Sequence, residues 1–225
     1  MPVLAYILTA LGAYLLGSIP FGYLVAKAKG IDIRAVGSGN IGATNAMRML
    51  DKPAGIFVLL MDVLKGWLAV YFGAIIYRLF FRPYETVPDW VGLYPLPTQH
   101  GIMQFALIAG IFAVLGHNYT CWLKFKGGKG IATTAGVYLA LAPWALLIAL
   151  VVFILALLAS RIMSVASMSG AVALPVAVWV MTPHNLFLGI VTTALGALAI
   201  YKHKSNIQRL MAGTENHFGK KKESK

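Results

Sequence analysis

The sequence predicts an all-α fold, a polytopic bundle of transmembrane helices that forms a single domain over residues 1–225. Composition predicts it: 59% of the residues are hydrophobic and only 12% are charged, and the mean hydropathy is +0.77. Several apolar runs also approach or exceed the length of about 20 residues that a helix needs to cross a bilayer. The single cysteine, Cys121, excludes an internal disulfide and a multi-cysteine metal site.

The first half of the chain contains three apolar segments, at 3–26, 54–81 and 101–116. A cleaved signal peptide would begin with basic residues, whereas no charge precedes Lys27, so we expect a true span with its N-terminus outside. The loop 82–100 carries aromatic residues and a single Lys or Arg, which is typical of the outer interface of a membrane protein. We therefore expect this loop outside.

The second half is assigned by its C-terminal tail, which carries seven basic residues and is expected inside. Two plain spans, at 166–181 and 185–201, lead to this tail. The tail lies inside only if 132–160 forms two helices, and Pro143 in the middle of that segment would break or kink a single helix. We expect two short helices there, thin or partly re-entrant, which gives about seven helices with the N-terminus outside and the C-terminus inside. The loops on the cytoplasmic face are then 27–53, 117–134 and 159–165, with the tail 202–218.

Residues 37–45 read Gly-Ser-Gly-Asn-Ile-Gly-Ala-Thr-Asn. Small residues let backbone N–H groups converge, and such a nest opening into a helix N-terminus holds a phosphate. Arg48, one turn later, can clamp that phosphate bidentately. The spaced glycines also match a dinucleotide-binding pattern, but that pattern needs a parallel sheet, which a helical membrane chain lacks. The alternative is a glycine-rich loop without a ligand. The side-chain donors of the loop are Ser38, Asn40, Thr44 and Asn45.

Residues 126–130 read Lys-Gly-Gly-Lys-Gly and resemble a nucleotide-binding P-loop only superficially, because Gly130 and not Ser or Thr follows Lys129. We therefore do not predict a nucleoside triphosphatase. The glycines on both sides of Lys129, including Gly128, let the backbone and the ammonium group approach one anion. The alternative is a pair of interfacial lysines that touch lipid headgroups.

A third group of polar residues, His203, Asn206 and Arg209, follows the last span at intervals of three residues. This spacing places neighbouring members on one face of a helix. His203 could donate to a phosphate or shuttle a proton. A cytoplasmic helix cap is the alternative interpretation.

Four other polar residues lie within or beside the apolar segments. Asp62 and Lys65 are three residues apart within the second span, and we expect them to neutralise each other. His117 and Asn118 begin the loop after the third span and are ambiguous. The chain has no His-x4-Asp pair and no Gly-x-Ser-x-Gly elbow, and its seven acidic residues disfavour a carboxylate metal cage. We predict no metal, no other cofactor and no nucleic-acid partner.

Three stretches in this order resemble the motifs of the bacterial integral-membrane acyl-phosphate:glycerol-3-phosphate acyltransferases. The first covers residues 32–48, the second 116–133 and the third 203–215. The resemblance as a whole extends over about residues 18–215. One departure is Ile162, which stands where the family has a tyrosine.

The resemblance implies transfer of a fatty acyl group from acyl phosphate to the 1-hydroxyl of sn-glycerol 3-phosphate, which gives lysophosphatidic acid and phosphate in phospholipid biosynthesis. It implies a multi-pass enzyme of the bacterial cytoplasmic (inner) membrane, surrounded by membrane lipid, with its active site on the cytoplasmic face. It assigns the acyl-phosphate site to Ser38, Asn40, Gly42 and Thr44, and phosphate binding with glycerol phosphate positioning to Arg48, Lys129, Ser164, His203 and Asn206. The candidate catalytic residues are Ser38, Arg48, Lys129, His203 and Asn206, and the candidate substrate-binding residues are Asn40, Gly42, Thr44, Asn45, Gly128 and Ser164.

Two other classes of membrane protein compete with this interpretation. A transporter or channel for an organic phosphate would suit the short paired helices and the basic mouth, but it should place polar groups on both faces and through the midplane. In the sequence only Asp62 and Lys65 are charged at depth. A lipid phosphatase should have a nucleophilic histidine with a partner acid, and the motifs contain no evident pair of this kind.

Overall fold

The computed structural model describes residues 2–81 and 100–217. Within these two ranges the chain is helical and has no β-strand, as the sequence predicts. Most of the predicted outer loop 82–100 and the end of the basic tail, 218–225, lie outside the described residues. The orientation of the two termini stays a prediction.

The chain forms two compact units, Met1–Pro143 and Trp144–Lys225, and the single domain stays a prediction. The helices of the first unit are α1 (Pro2–Ser18), α2 (Phe21–Ala28), α3 (Ala43–Met49), α4 (Lys52–Phe81), α5 (His100–Asn118) and α6 (Ile131–Leu141), with a 3-10 turn at Cys121–Leu123. Those of the second are α7 (Pro143–Ser160), whose first residue marks the boundary, α8 (Met163–Met181), α9 (Leu186–Lys202) and α10 (Lys204–Met211).

Several of these helices are long and apolar enough to cross a membrane. Such segments in the described ranges are Pro2–Ala28, Lys52–Phe81, Gly101–Leu123, Pro143–Ser160 and Met163–Met181. A sixth is possible if α9 and α10 are counted together, although the chain bends by 53° between them. The protein is therefore a multi-pass membrane protein, while the total of seven helices stays a prediction.

The apolar segment 132–160 is divided where Pro143 predicts. α6 is short, with 11 residues, but α7 has 18 residues and is long enough to cross the bilayer by itself. The expectation of two short helices is therefore wrong for α7. The physical reason is that Pro143 occupies the first position of α7, where its missing N–H costs no helical hydrogen bond. The apolar run that follows can then form a full-length helix.

The first span is interrupted, which the sequence analysis did not predict. α1 ends at Ser18 and α2 begins at Phe21, because Pro20 has no N–H to continue the helical ladder. The break leaves the carbonyl oxygen of Ile19 outside a regular helix. Lys65 of α4 donates to this oxygen from its Nζ at 2.9 Å.

The first unit is assembled around α4, which packs against α1, α3, α5 and α6. The contact with α6 is backbone to backbone: a Cβ atom at Gly66 would overlap the carbonyl oxygen of Thr133, and one at Gly136 would overlap that of Val63. Small residues at helix contacts allow this close approach in membrane bundles. The start of α6 is thereby fixed on one turn of α4.

In the second unit α8 packs against α9. Asn185 caps α9, since its Oδ1 accepts a hydrogen bond from the backbone N–H of Leu188 at 3.0 Å. At the other end His203 terminates α9 and starts α10. The polar residues of the third sequence motif therefore lie on and just after α10.

Candidate active site

The loop that precedes α3 is organised by the side chain of Asn45, which is only 2% exposed. Its Nδ2 donates to the carbonyl oxygens of Ile33, Val36 and Asn40 at 3.3, 3.2 and 2.9 Å. Its Oδ1 accepts from the backbone N–H of Ser38 at 3.0 Å. The amide of Asn45 therefore shapes the loop, while its role as a ligand of the substrate stays a prediction.

Gly42 and Asn40 form a second local contact. The backbone N–H of Gly42 donates to Oδ1 of Asn40 at 2.7 Å, which is an Asx-type turn just before α3. This N–H is thus used by the turn, and the place of Gly42 in the acyl-phosphate site stays a prediction. Ser38 and Arg48 are exposed and Thr44 is half-buried, which leaves these side chains at the surface of the loop.

An exposed ion pair frames the start of this loop. Arg34 donates to both carboxylate oxygens of Asp32, from Nε at 2.9 Å and from Nη2 at 2.8 Å. The side-chain hydrogen bonds from Arg34 lower the pKa of Asp32 to about 2. The Arg34 guanidinium also lies over the ring of Tyr23, 4.9 Å from its centroid. The contact with Tyr23 connects the loop to α2, and Asp32 neutralises the charge of Arg34.

The Lys129 segment lies against the end of α5. The backbone N–H groups of Gly127 and Gly128 donate to the carbonyl oxygens of Asn118 and His117 at 3.2 and 3.0 Å. A Cβ atom at Gly128 would overlap Nε2 of His117, so a glycine is required there by close packing. The substrate contact of Gly128 stays a prediction, and Lys129, the next residue, is half-buried.

Asp62 and Lys65 form the predicted ion pair, with Nζ of Lys65 2.8 Å from Oδ1 of Asp62. Nδ1 of His117 lies 3.5 Å from the same carboxylate oxygen. All three side chains are nearly fully buried. The sequence left the role of His117 ambiguous because its partner is 55 positions away in the chain; the signal available was only that a histidine ends an apolar span.

Glu215 is the centre of the polar cluster in the second unit. Its Oε1 accepts from Oγ of Ser164 at 3.1 Å and from Nδ2 of Asn206 at 2.7 Å, and its Oε2 accepts from Nε of Arg209 at 2.7 Å. Burial raises the pKa of Glu215, but the hydrogen bonds from Asn206 and Arg209 outweigh it and hold this pKa below its usual range. The sequence analysis included Glu215 in a motif but gave it no role.

His203 is buried and has one ring nitrogen defined by its partner. Nδ1 lies 2.8 Å from the carbonyl oxygen of Ala199, and because a carbonyl only accepts, this nitrogen carries a proton. Nε2 is then the nitrogen that accepts in the neutral ring and donates in the cation. The carbonyl of His203 accepts from the backbone N–H of Asn206 at 2.8 Å, so the two predicted residues are held within one turn.

The structure thus places the candidate residues in three groups. Within the first unit, one group lies around the loop 37–45 and α3, and another is the Lys129 segment. Within the second unit, Ser164 and Asn206 share Glu215, and His203 lies one turn before Asn206. No group of three or more His, Cys, Asp or Glu side chains suited to a metal ion occurs in the described ranges.

The fold and these groups define an integral membrane protein whose loops carry cationic and hydroxyl side chains suited to phosphorylated ligands. The chain belongs to the glycerol-3-phosphate acyltransferase family, whose sequence model matches residues 7–213. It is 46% identical over 215 residues to the glycerol-3-phosphate acyltransferase of Thermosynechococcus vestitus, covering 94% of each chain. It is 42% identical over 212 residues to that of Geotalea daltonii, covering 94% of this chain and 97% of the relative.

Two solved structures are also similar to this chain. The crystal structure of PlsY (YgiH), an integral membrane glycerol 3-phosphate acyltransferase, in its glycerol 3-phosphate form has a TM-score of 0.80 and 36% identity, over 95% of this chain and 96% of that chain. The lysophosphatidic acid form has a TM-score of 0.77 and 35% identity, over 95% of both chains.

Proposed function

We propose that this protein transfers a fatty acyl group from acyl phosphate to the 1-hydroxyl of sn-glycerol 3-phosphate, releasing inorganic phosphate and lysophosphatidic acid. The observation that carries the proposal is the loop 37–45, in which Asn45 satisfies the backbone and leaves Ser38, Thr44 and Arg48 for a ligand. Similarity to PlsY in its glycerol 3-phosphate and lysophosphatidic acid forms supports the acceptor and the product.

The acyl phosphate is bound, in this proposal, by the first unit. Ser38, Asn40 and Thr44 donate to its phosphate, while the turn made by Gly42 and the amide of Asn45 keep these groups in place. Arg48 and Lys129 supply positive charge, because charge-assisted hydrogen bonds to phosphate are about twice as strong as neutral ones.

The second unit binds and orients glycerol 3-phosphate in this proposal. The carboxylate of Glu215 fixes the amide of Asn206 and the hydroxyl of Ser164, so both are held in one rotamer before the substrate arrives. His203 is oriented by the hydrogen bond between its Nδ1 and the carbonyl oxygen of Ala199. Preorganisation of this kind removes the cost of ordering the side chains upon binding.

The chemistry proceeds by direct attack. Acyl phosphate is a mixed anhydride with a good leaving group, so the acceptor oxygen forms an ester bond to the acyl carbon as the bond from that carbon to the phosphate oxygen breaks. A phosphate oxygen of the donor accepts the hydroxyl proton, and His203 orients the acceptor. Proximity of the two bound substrates can contribute roughly 7–11 kcal/mol to lowering the barrier.

We place the reaction in the bacterial inner membrane with the reactive groups on the cytoplasmic face. This location follows from the basic residues in the loops that carry the motifs, which the positive-inside rule assigns to the cytoplasm. The acyl chain then lies among apolar helices or lipid, where its burial stabilises the bound donor by about 0.8 kcal/mol for each methylene removed from water.

The proposal is tested with the purified full chain in detergent or nanodiscs. Palmitoyl phosphate is supplied with and without glycerol 3-phosphate, and both phosphate release and lysophosphatidic acid are measured. We expect stoichiometric formation of both products only when the acceptor is present. Palmitoyl-coenzyme A serves as the alternative donor: acyl transfer from the thioester and none from palmitoyl phosphate would overturn the proposed donor, and uptake of phosphate esters without acyl transfer would indicate a transporter.

A further inference from the structure

One turn of α4, residues 62–66, carries a buried charge pair that neutralisation alone does not explain. The side chains of Asp62 and Lys65 are only 4% and 2% exposed within a candidate membrane span. Ionisable residues at this depth are costly, and their contacts identify what they do. Here each partner also contacts a different element of the first unit.

Asp62 is connected to the Lys129 segment through His117. Nδ1 of His117 lies 3.5 Å from the carboxylate, and its ring fills the space that a side chain at Gly128 would need. The carbonyl oxygen of His117 also accepts the backbone N–H of Gly128 at 3.0 Å. The position of Lys129, the next residue, therefore depends on where Asp62 holds the histidine ring.

Lys65 is connected to the loop 37–45 through the broken first span. Its Nζ donates to the carbonyl oxygen of Ile19 at 2.9 Å, at the break between α1 and α2. Two residues into α2, a Cβ atom at Gly22 would overlap the carbonyl oxygen of Ile41, so α2 lies directly on that loop. A shift at Ile19 would be transmitted to the phosphate-binding loop by this backbone contact.

The same turn of α4 also holds the far end of the Lys129 segment. Gly66 packs on the carbonyl oxygen of Thr133 near the start of α6, two residues after Ile131 begins that helix. The Lys129 segment is thus fixed on both sides by residues 62–66. Packed backbones of this kind transmit displacement because interiors are dense and resist deformation.

We propose that Asp62, Lys65 and His117 are positioning residues that hold the loop 37–48 and the segment 126–130 at a fixed separation. The inference rests on the proposed function, in which these two segments bind phosphate. The three residues act through Gly128 and Ile41 and are not catalytic. A misplacement of about 1 Å in such a site can reduce turnover a hundredfold, so loss of the cluster should reduce kcat/KM and not only stability.

The first test separates positioning from charge cancellation. The double variant Asp62→Asn/Lys65→Met keeps the segment neutral, so a pair that served only to cancel charge could be replaced without loss of activity. We expect kcat/KM to fall on the order of tenfold or more, with the KM for acyl phosphate raised. The control is Thr9→Val, a buried change in α1 of the same unit whose hydroxyl bonds only its own helix, at Ala5; it should leave both constants unchanged.

The second test examines the connection through the histidine ring, and it decides the matter if the double variant fails to fold. His117→Ala leaves Asp62 paired with Lys65, and Gly128→Ala places a methyl group where the ring lies. Each change alone should raise the KM for acyl phosphate on the order of tenfold. Because removing the ring gives the methyl group space, the combination should be no worse than the worse single variant. Additive losses would overturn the connection.

A third measurement does not depend on turnover. Amide hydrogen exchange in 126–130 should be faster in His117→Ala by on the order of tenfold, and unchanged in Thr9→Val, because the bonds from Gly127 and Gly128 depend on the end of α5. If the wild-type protein does not use acyl phosphate but this exchange responds, the proposed donor fails and the positioning role stands. Unchanged exchange and unchanged kinetics in every variant would overturn the positioning role.

Discussion

Glu215 accepts hydrogen bonds from Ser164, Asn206 and Arg209, and folding lowers its pKa because these bonds outweigh the effect of burial. A carboxyl group whose pKa is lowered by folding stabilises the folded state above its ordinary pKa, and the contribution is lost as the pH falls through the folded value. The direction of the shift therefore predicts an acid-sensitive cluster. The same protonation would release the amide and the hydroxyl that the carboxylate orients.

For Glu215→Gln we expect a lower Tm than wild type at pH 7, with the difference shrinking as the pH is lowered below the ordinary pKa of a glutamate. The matched control is Glu223→Gln, in the tail outside the described residues. Thermal unfolding followed across this pH range provides the measurement. A constant difference in Tm at every pH would contradict a role for the ionised carboxylate.

Lys129 provides the second prediction at this scale. Loss of its charge-assisted contact to a phosphate should cost on the order of 2–4 kcal/mol of transition-state stabilisation, a fall of about 30- to 1,000-fold in kcat/KM. Lys129→Met is compared with Lys126→Met, an exposed lysine of the same segment, which should stay within threefold of wild type. Turnover by Lys129→Met within threefold of wild type would exclude the contact.

Among the elements, the loop 37–45 contains two left-handed glycines, Gly37 and Gly39, and the first lies against the side chain that organises the loop. Gly37 has φ of +61°, and a Cβ atom there would overlap Oδ1 of Asn45. Gly30 also lies in the left-handed region, with φ of +72°, but nothing would lie within 4 Å of its Cβ. A substitution at Gly30 therefore causes backbone strain alone, whereas one at Gly37 causes the same strain and a steric clash with Asn45.

Gly30→Ala should reduce the free energy of unfolding by about 1–2 kcal/mol, the usual cost of a left-handed non-glycine residue, and leave kcat/KM unchanged. Gly37→Ala should cost more and also raise the KM for acyl phosphate, because the amide of Asn45 must move. Unfolding and steady-state kinetics of both variants are the measurements. Equal effects of the two variants on KM would show that the amide does not control the loop.

What the sequence predicted at this scale follows from local pattern. The break at Pro143, the glycine loop before α3 and the Asp62–Lys65 pair depend on neighbouring residues, and each is found. The break between α1 and α2 was not predicted, because Pro20 lies within a long apolar run that was interpreted as one continuous span. The close packing of Gly128 on His117 was not predicted, because only the fold brings these two residues together.

For the whole molecule, the sequence predicts a multi-pass helical membrane protein, because the hydropathy and charge patterns that indicate this class extend over many residues. The direction of crossing depends on parity, so one miscounted helix would invert everything after it. α7 is long enough to cross the membrane by itself. Whether the short α6 also crosses therefore decides on which side the C-terminal tail lies. An orientation experiment therefore tests the seven-helix prediction directly.

The orientation is tested with single cysteines in a Cys121→Ser background. Ser205→Cys, on exposed α10, should react with an impermeant thiol reagent only after the cells are permeabilised. His184→Cys, in the exposed turn between α8 and α9, should react in intact cells. The reverse pattern would mean that 132–160 crosses the membrane once and that the tail lies outside.

The reaction as a whole should proceed without an acyl-enzyme. A serine nucleophile needs an adjacent base to activate it. The hydroxyl of Ser164 donates to Glu215, but the hydrogen bonds from Asn206 and Arg209 lower the pKa of this carboxyl group and make it a weak base. Incubation with radiolabelled acyl phosphate alone should therefore leave no label on the denatured protein, and initial-rate kinetics should be sequential. Stoichiometric acylation that glycerol 3-phosphate discharges, together with ping-pong kinetics, would rule out direct transfer.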